Sequence, residues 1–237
     1  MVRRTTVDGR AAVVKEPPYD ALTEAVGLRA LEAAGARVPR ILSVSPDRLV
    51  LEEVQGDGDW EACARRLAQV HQATGPAFGW DNDGVIGRLP MENQRTEDWP
   101  TFYARHRLAP YVDRLPADAT LRIVEAIEDG RLAALLDHDV VPALVHGDLW
   151  AGNVVGGEYL IDPAVHHADR ELDLAFARFF GGFPPAFFAA YEEVLPLDDG
   201  WEERLPALQL FHALVHVQQE GDHYLHTVTE RLDRLGW

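Results

Sequence analysis

Asp148, Asn153 and Asp162 stand close together in the stretch Leu144-Val145-His146-Gly147-Asp148-Leu149-Trp150-Ala151-Gly152-Asn153-Val154-Val155-Gly156-Gly157-Glu158-Tyr159-Leu160-Ile161-Asp162-Pro163. Gly156-Gly157 is a two-residue hairpin turn signal between two short apolar runs. Folding the chain there brings Asn153 and Asp162 to the open end of the hairpin, with Asp148 on the loop that enters it. An amide oxygen and a carboxylate are hard ligands of the kind Mg²⁺ prefers. A separate carboxylate can take the proton of an attacking hydroxyl. Together these groups suit phosphoryl transfer.

A fourth residue stands out by composition. Lys15 is the only lysine among 22 Lys and Arg. Arg replaces Lys freely on a solvated surface, but less well where a compact ammonium must reach a phosphate. Lys15 ends the second strand of an expected hairpin, and the helix that follows carries Glu24. A strand lysine paired with a helix glutamate holds the α- and β-phosphates in kinases. The Asp148-to-Asn153 interval of five residues equals the spacing of the kinase catalytic loop. Asp162 then takes the place of the second metal-binding aspartate. Each piece alone is common; the order Lys15, Glu24, Asp148, Asn153, Asp162 is not.

The elements that must position these groups follow from pattern. Val2–Val7 and Arg10–Lys15 flank Asp8-Gly9, a hairpin signal. Asp20 is a good N-cap for a helix over Ala21–Ala34, with Leu22, Val26, Leu28 and Leu31 as its apolar contacts. Two more strands are expected at Arg40–Val44 and Arg48–Val54. Gly56-Asp57-Gly58-Asp59 reads as a flexible hinge between lobes. Beyond it, Trp60, Cys63, Leu67 and Val70 recur at helical spacing. A loop is expected over Thr74–Gln94, then helices over Trp99–Arg114 and Ala119–Asp137, a strand-rich patch at Ala143–Asp162, and a mainly helical tail ending in Glu202–Gln219 and Asp222–Leu235. The fold class is α+β. A small β-rich lobe over 1–55 precedes a larger helical lobe over 56–237, with the site in the cleft between them.

The 237 residues carry a net charge of −17 and one cysteine, Cys63. This composition argues against a disulfide framework, a multi-Cys zinc site and general nucleic-acid binding. It suits an amine-bearing partner. No apolar run reaches the ~20 residues needed to span a bilayer, and no secretory signal is visible. The expectation is a cytoplasmic protein with no membrane or nucleic-acid partner.

The segments His146-Gly147-Asp148-Leu149-Trp150-Ala151-Gly152-Asn153, Ile161-Asp162-Pro163-Ala164-Val165, Asp169-Arg170-Glu171-Leu172-Asp173-Leu174-Ala175 and Phe180-Gly181-Gly182-Phe183 resemble the fructosamine kinase (ketosamine 3-kinase) family. Upstream, Phe78-Gly79-Trp80-Asp81-Asn82, Ile86-Gly87, Asn93 and Asp98-Trp99 follow the same order. The resemblance implies the aminoglycoside-phosphotransferase variant of the protein-kinase-like fold. It also implies ATP- and Mg²⁺-dependent phosphorylation of a ketosamine or glycated lysine at the sugar 3-hydroxyl, a deglycation activity. Asp148 would be the base, Asn153 and Asp162 the Mg²⁺ ligands, and Lys15 with Glu24 the phosphate holder. The backbone at Glu52 and Val54 would meet adenine. Asp173 would brace the loop from behind. From the residues alone, Trp150, and after it Trp80 and Trp99, offer aromatic faces of the kind that flank sugars or cationic amines, and His146 reads as fixing the loop backbone rather than as a base. Family members carry a further strand and a glycine-rich turn ahead of the Lys15 hairpin, and neither is found here. The alternatives are therefore an aminoglycoside- or choline-kinase-like enzyme, or a catalytically impaired nucleotide-binding module.

Elsewhere the plainer reading wins. Cys63 sits on an apolar stripe and reads as core. His212 and His216 could share a helix face, and His166-His167 adjoins Asp169, but no H-E-x-x-H accompanies them. They read as packing or surface histidines. No G-x-S-x-G elbow supports hydrolysis.

Overall fold

The computed structural model describes residues 1–237. Asp8 and Gly9 both take positive φ, +48° and +75°, the backbone a tight right-twisting hairpin needs. They join β1 (Val2–Val7) to β2 (Arg10–Lys15). Helix α1 (Ala21–Ala33) follows, its first turn capped by the Asp20 carboxylate accepting from Leu22 N at 2.9 Å. Strands β3 (Ile41–Ser45) and β4 (Arg48–Glu52) complete an antiparallel sheet of order β1-β2-β4-β3.

Register decides where the lysine points. Lys15 is opposite Leu49, and Val13 is opposite Leu51, so these four share one face. Leu49 and Leu51 pack against Ala21, Ala25 and Leu28 of α1. Lys15 therefore lies on the face that α1 covers. Ala12, Val14 and Val50 form a small apolar cluster of their own.

The rest of the chain is mainly helical: α2 (Trp60–Val70), the hairpin β5 (Gly84–Ile86) and β6 (Leu89–Met91), α3 (Trp99–Tyr103), α4 (Ala117–Glu128), α5 (Arg131–Leu136), β7 (Ala143–Val145), β8 (Val154–Val155), β9 (Tyr159–Leu160), β10 (His166–Ala168), α6 (Glu171–Phe179), α7 (Pro185–Val194), α8 (Trp201–Glu220) and α9 (Leu225–Leu235). β7 pairs with β10, and β8 with β9, both antiparallel. One large apolar cluster surrounds α8, with Phe102, Tyr103, Phe211 and Leu214 at its centre; a second joins Cys63 and Leu67 of α2 to Phe187 and Tyr191 of α7. Burial pushes the Cys63 thiol up to about 12, as befits a core residue. No helix is long and apolar enough to cross a membrane.

Several expected elements differ. The loop Thr74–Gln94 contains the β5–β6 hairpin. The helix expected over Trp99–Arg114 stops at Tyr103, widens into a π turn over Ala104–Leu108 and tightens to 3-10 geometry at Ala109–Tyr111. Pro110 lacks the N–H that a regular helix needs there. The Ala119–Asp137 helix is two helices, broken where Gly130 takes φ +83°. Of the four α1 contacts expected, Leu28 and Leu31 enter the core, whereas Leu22 and Val26 stay 39% and 43% exposed.

The glycine-rich linker after β4 is anchored rather than free. Gly58 N donates to Gly156 O at 2.9 Å. A Cβ on Gly156 would lie 2.4 Å from Gly56 N, and Gly156 sits at φ +57°. Linker and hairpin turn thus touch backbone to backbone. Gly156→Ala should lower unfolding stability by about 3 kcal/mol or more, the sum of left-handed strain and this clash. Gly130→Ala, also at positive φ but with nothing within 4 Å, should cost only about 1 kcal/mol. Urea denaturation of the two variants checks the difference; equal losses would show that the linker contact contributes nothing.

Candidate active site

The end of β2, the first turn of α1 and the hairpin mouth meet at the Lys15 ammonium. Nζ donates to Glu24 Oε1 at 2.6 Å and also to Asp162 Oδ1. Burial alone would lower the Lys15 pKa, but the facing charges of Glu24 and Asp162 outweigh it and hold the ammonium above its ordinary value. Burial raises Glu24, against the pull of Lys15. Asp162 takes φ +53°, uncommon for a residue with a side chain. Its side chain is 43% exposed.

The loop carrying Asp148 is held by its backbone. Asp173, fully buried in the first turn of α6, accepts from His146 N at 2.6 Å and Gly147 N at 2.8 Å. His71 Nε2 lies 3.1 Å from the same carboxylate, and His71 Nδ1 lies 2.7 Å from the Tyr191 hydroxyl. Burial would raise the Asp173 pKa; the bond from His71 and the charges around it prevail and keep it below the usual range. His146 accepts from Asp148 N on Nδ1 at 3.2 Å, so its Nε2 carries the proton that meets Ile161 O at 3.0 Å. Gly147 is at φ +81°, and a Cβ there would stand 2.1 Å from Ala164 O. Only glycine fits.

Asp148 is nearly buried. Desolvation lifts its pKa to about 7, opposed by the Asn153 hydrogen bond and aided by the charges of Asp162 and Asp173. Asn153 Nδ2 donates to Asp148 O at 2.9 Å and to Asp148 Oδ2 at 3.0 Å. With its nitrogen so engaged, the amide oxygen is the group left for another partner. Gly156 and Gly157, at φ +57° and +70°, turn the β8–β9 hairpin and set Asp162 back beside this loop.

Lys15, Glu24, Asp148, Trp150, Asn153 and Asp162 all line one cavity of about 400 Å³. A narrower slot of about 140 Å³ opens on the other side of Lys15, between Val13 and Leu51 of the sheet and Val155 and Ile161 of the hairpin. Glu52 and Val54 line that slot. Glu52 N–H is taken by Arg40 O at 2.9 Å. Trp150 is 40% exposed and meets Phe180 edge-on at 6.3 Å. Every residue expected at the site is thus in the cavity, in the slot, or bonded to the loop between them. Trp99 is core, and Trp80 lies tilted against the His167 ring, centroids 4.9 Å apart, beside a neighbouring cavity.

The sequence reading missed four contributors. Tyr19, Arg88 and Gln219 also line the cavity that holds Lys15 and Asp148. His212 donates from Nε2 to Gly147 O at 3.0 Å, its ring stacked on Phe176 at 3.6 Å. A packing histidine was expected at 212, but its hold on the loop depends on a partner far away in sequence. His138, Glu171 and Asp198 bring ligand-type atoms within 4.8 Å of one another. Both Glu171 oxygens, however, bond to Arg204 at 2.7 Å, and Arg170 reaches Asp198 at 3.4 Å. Guanidinium groups meet the charge of that cluster.

Three carboxylates, of Glu24, Asp148 and Asp162, share the cavity with Lys15 and Arg88. A carboxylate oxygen of Asp162 and the amide oxygen of Asn153 are hard donors suited to Mg²⁺, so the residues present fit a divalent cation.

Comparison with known proteins follows the same line. Residues 19–236 match the family model described as fructosamine kinase. A Synechocystis protein described as a "probable ketoamine kinase" is 38% identical over 216 residues, covering 85% of this chain and 73% of that one. The crystal structure of a candidate fructosamine-3-kinase from Thermobifida fusca superposes with TM-score 0.89 at 33% identity, covering 99% of this chain and 93% of the other. Choline kinase LicA from Streptococcus pneumoniae shares the fold at TM-score 0.61 and 16% identity, over 99% of this chain and 89% of its own.

The buried histidines give the fold an acid-sensitive edge. Burial depresses the pKa of His146, His166 and His212, the last to about 3. The unfolded chain binds protons at these sites below about pH 6.5 while the folded chain does not, so the histidines' share of stability falls as pH drops from there toward 3, against an opposite trend from Asp148 and Glu24, whose pKa values burial raises. Each histidine contributes a slope of at most about 1.4 kcal/mol per pH unit. His212→Gln keeps an N–H for Gly147 O but has no proton to gain. Its urea midpoint should fall less than the parent's between pH 7 and pH 5; parallel losses would remove His212 from the account.

Proposed function

The chain belongs to the fructosamine kinase family, and on that premise we propose that it transfers the γ-phosphoryl group of ATP to the sugar 3-hydroxyl of a ketosamine. Such a product breaks down and releases the free amine, so the activity amounts to deglycation. The observation that carries the reading is the meeting of Lys15, Glu24 and Asp162 with Asp148 and Asn153 around one cavity, beside a slot lined by Val13 and Leu51.

The slot under the sheet receives adenine, with the chain at Glu52 and Val54 along its edge. Lys15, oriented by Glu24, holds phosphate oxygens. Asn153 and Asp162 hold Mg²⁺, which supplies charge neutralisation at the phosphates. Asp148 accepts the proton of the 3-hydroxyl as its oxygen bonds to phosphorus and the bond to the ADP oxygen breaks. A carboxyl held near neutrality by burial suits that proton transfer at physiological pH. Trp150 offers an aromatic face to the sugar or its amine. Asp173 and His146 fix the loop and touch neither reactant.

We assign nucleotide binding to residues 1–55 and catalysis with acceptor binding to 56–237. The apolar clusters of the sheet lie wholly within the first segment, although Leu31 and Ala36 join the core of the second.

Incubation with Mg-ATP and fructosyl-lysine should yield ADP and a phosphorylated ketosamine, followed by mass spectrometry. Asp148→Asn should lower kcat by about 10²- to 10⁴-fold while nucleotide binding survives. Lys15→Met should instead raise the KM for ATP. Turnover of choline or an aminoglycoside, with none of a ketosamine, would overturn the substrate assignment. Full activity in Asp148→Asn would overturn the base.

A further inference from the structure

The β5–β6 hairpin turns on two residues. Ile86 pairs with Leu89, which leaves Gly87 and Arg88 at the tip, and Gly87 takes φ +59°. A left-handed glycine at the first of two turn residues is the pattern of a type II′ hairpin. One side chain of α8 holds this turn at both ends. Gln219 Oε1 accepts from Arg88 N at 3.0 Å, and Gln219 Nε2 donates to Ile86 O at 3.3 Å. Gln219 also fills the space that a Cβ on Gly87 would need.

The backbone that carries Arg88 is thus fixed, while its side chain is free. Arg88 is exposed, and its guanidinium has no hydrogen-bond or ion-pair partner in the protein. It nevertheless lines the cavity with Lys15, Asp148, Asn153 and Asp162, and no other arginine does. The charge of Lys15 is already shared between Glu24 and Asp162. Arg88 is the cation of this cavity whose charge is uncommitted. It does not line the slot beside Val13 and Leu51. A nucleotide with its base in that slot runs its phosphates past Lys15 and ends on the side of Arg88.

We infer that Arg88 is a further catalytic residue, whose guanidinium takes two non-bridging oxygens of the γ-phosphoryl group while that group passes from ADP to the acceptor. The inference rests on the transfer reading above and adds a residue to it. The acceptor oxygen bonds to phosphorus, the bond to the ADP oxygen breaks and the hydroxyl proton goes to Asp148; Arg88 only donates hydrogen bonds. A planar guanidinium matches a pair of phosphoryl oxygens, and its charge offsets the repulsion of those oxygens by the nearby acids. With Lys15 holding the bound nucleotide, Arg88 acts on the transition state more than on the ground state.

Binding of Mg-ADP alone and of Mg-ADP with aluminium fluoride, a mimic of the phosphoryl group in passage, separates the two states. By fluorescence titration, Arg88→Gln should leave the Kd for Mg-ADP unchanged and raise that for the fluoroaluminate complex by about tenfold or more. Arg88→Lys should recover part of the loss. A ratio of the two Kd values that is the same in parent and Arg88→Gln would overturn the inference. In turnover, Arg88→Gln should lower kcat by about tenfold or more with fructosyl-glycine and with the uncharged fructosyl-glycinamide alike, at an unchanged KM for ATP. A loss confined to fructosyl-glycine would assign the guanidinium to the acceptor's carboxylate, and a raised KM for ATP at full kcat would assign it to the resting nucleotide; either overturns the role. Phosphorylation of neither acceptor by the parent would count against the transfer reading instead, and the fluoroaluminate comparison then decides Arg88 on its own.

Discussion

One ammonium facing three carboxylates is the constraint on which the site depends. Lys15 bonds to Glu24 and Asp162, and Asp148 stands in the same cavity. The three acids come from α1, the loop after β7 and the hairpin mouth, and the ammonium from the sheet. Their attraction draws the two lobes together at one point. It also leaves negative charge in excess in a space partly shielded from water, where like charges repel strongly. That excess helps to keep Asp148 protonated up to about pH 7. The hard oxygens of Asp162 and Asn153 beside it make the cavity receptive to a divalent cation.

Such a site works only if the loop between its acids cannot drift. The loop is gripped through its backbone at successive residues: His146 and Gly147 donate to Asp173, and Gly147 O accepts from His212. The gripping residues come from α6 and α8, and His71 at the end of α2 steadies Asp173. Buried polar groups are costly unless satisfied. Here both oxygens of Asp173 and one nitrogen of His212 are spent on fixing a few backbone atoms, while His212 Nδ1 is left without a partner. Arg107 does the same for the β5–β6 region. It is fully buried without an acid partner, bonds Glu92 O and Asn93 Oδ1, and lies over the Phe102 ring at 4.6 Å.

Much of this was legible in the sequence because its signals are local. Asp8-Gly9 and Gly156-Gly157 announce hairpins through residues that tolerate positive φ, and the hairpins fix where Lys15, Asn153 and Asp162 fall. The solitary lysine needed only composition to stand out. What could not be read depends on distant partners or on elements too short to show a period. The β5–β6 strands have three residues each, and Arg88 reaches the cavity from their turn. His212 finds Gly147 across 65 residues. The linker at Gly56 looked flexible because glycines usually are, yet the carbonyl and turn of Gly156 lie directly against it. Leu22 and Val26 fitted an apolar helix stripe; only the fold reveals that their side of α1 faces a cavity instead of the core.

That last misreading matters for how α1 works. The helix carries Glu24 toward Lys15 on one side and Leu22 and Val26 into a neighbouring cavity on another. Between them, Gly27 lets α1 lie so close to the segment after Asp162 that a Cβ there would stand 3.0 Å from Pro163 Cγ and 3.3 Å from Val165 Cγ2. A helix packed this tightly cannot tilt at one end without moving the other. The carboxylate that bonds Lys15, the apolar wall beside the Lys15 cavity and the peptide that follows Asp162 are therefore set by a single rigid body. Glycine at position 27 is the local choice that makes their registration possible.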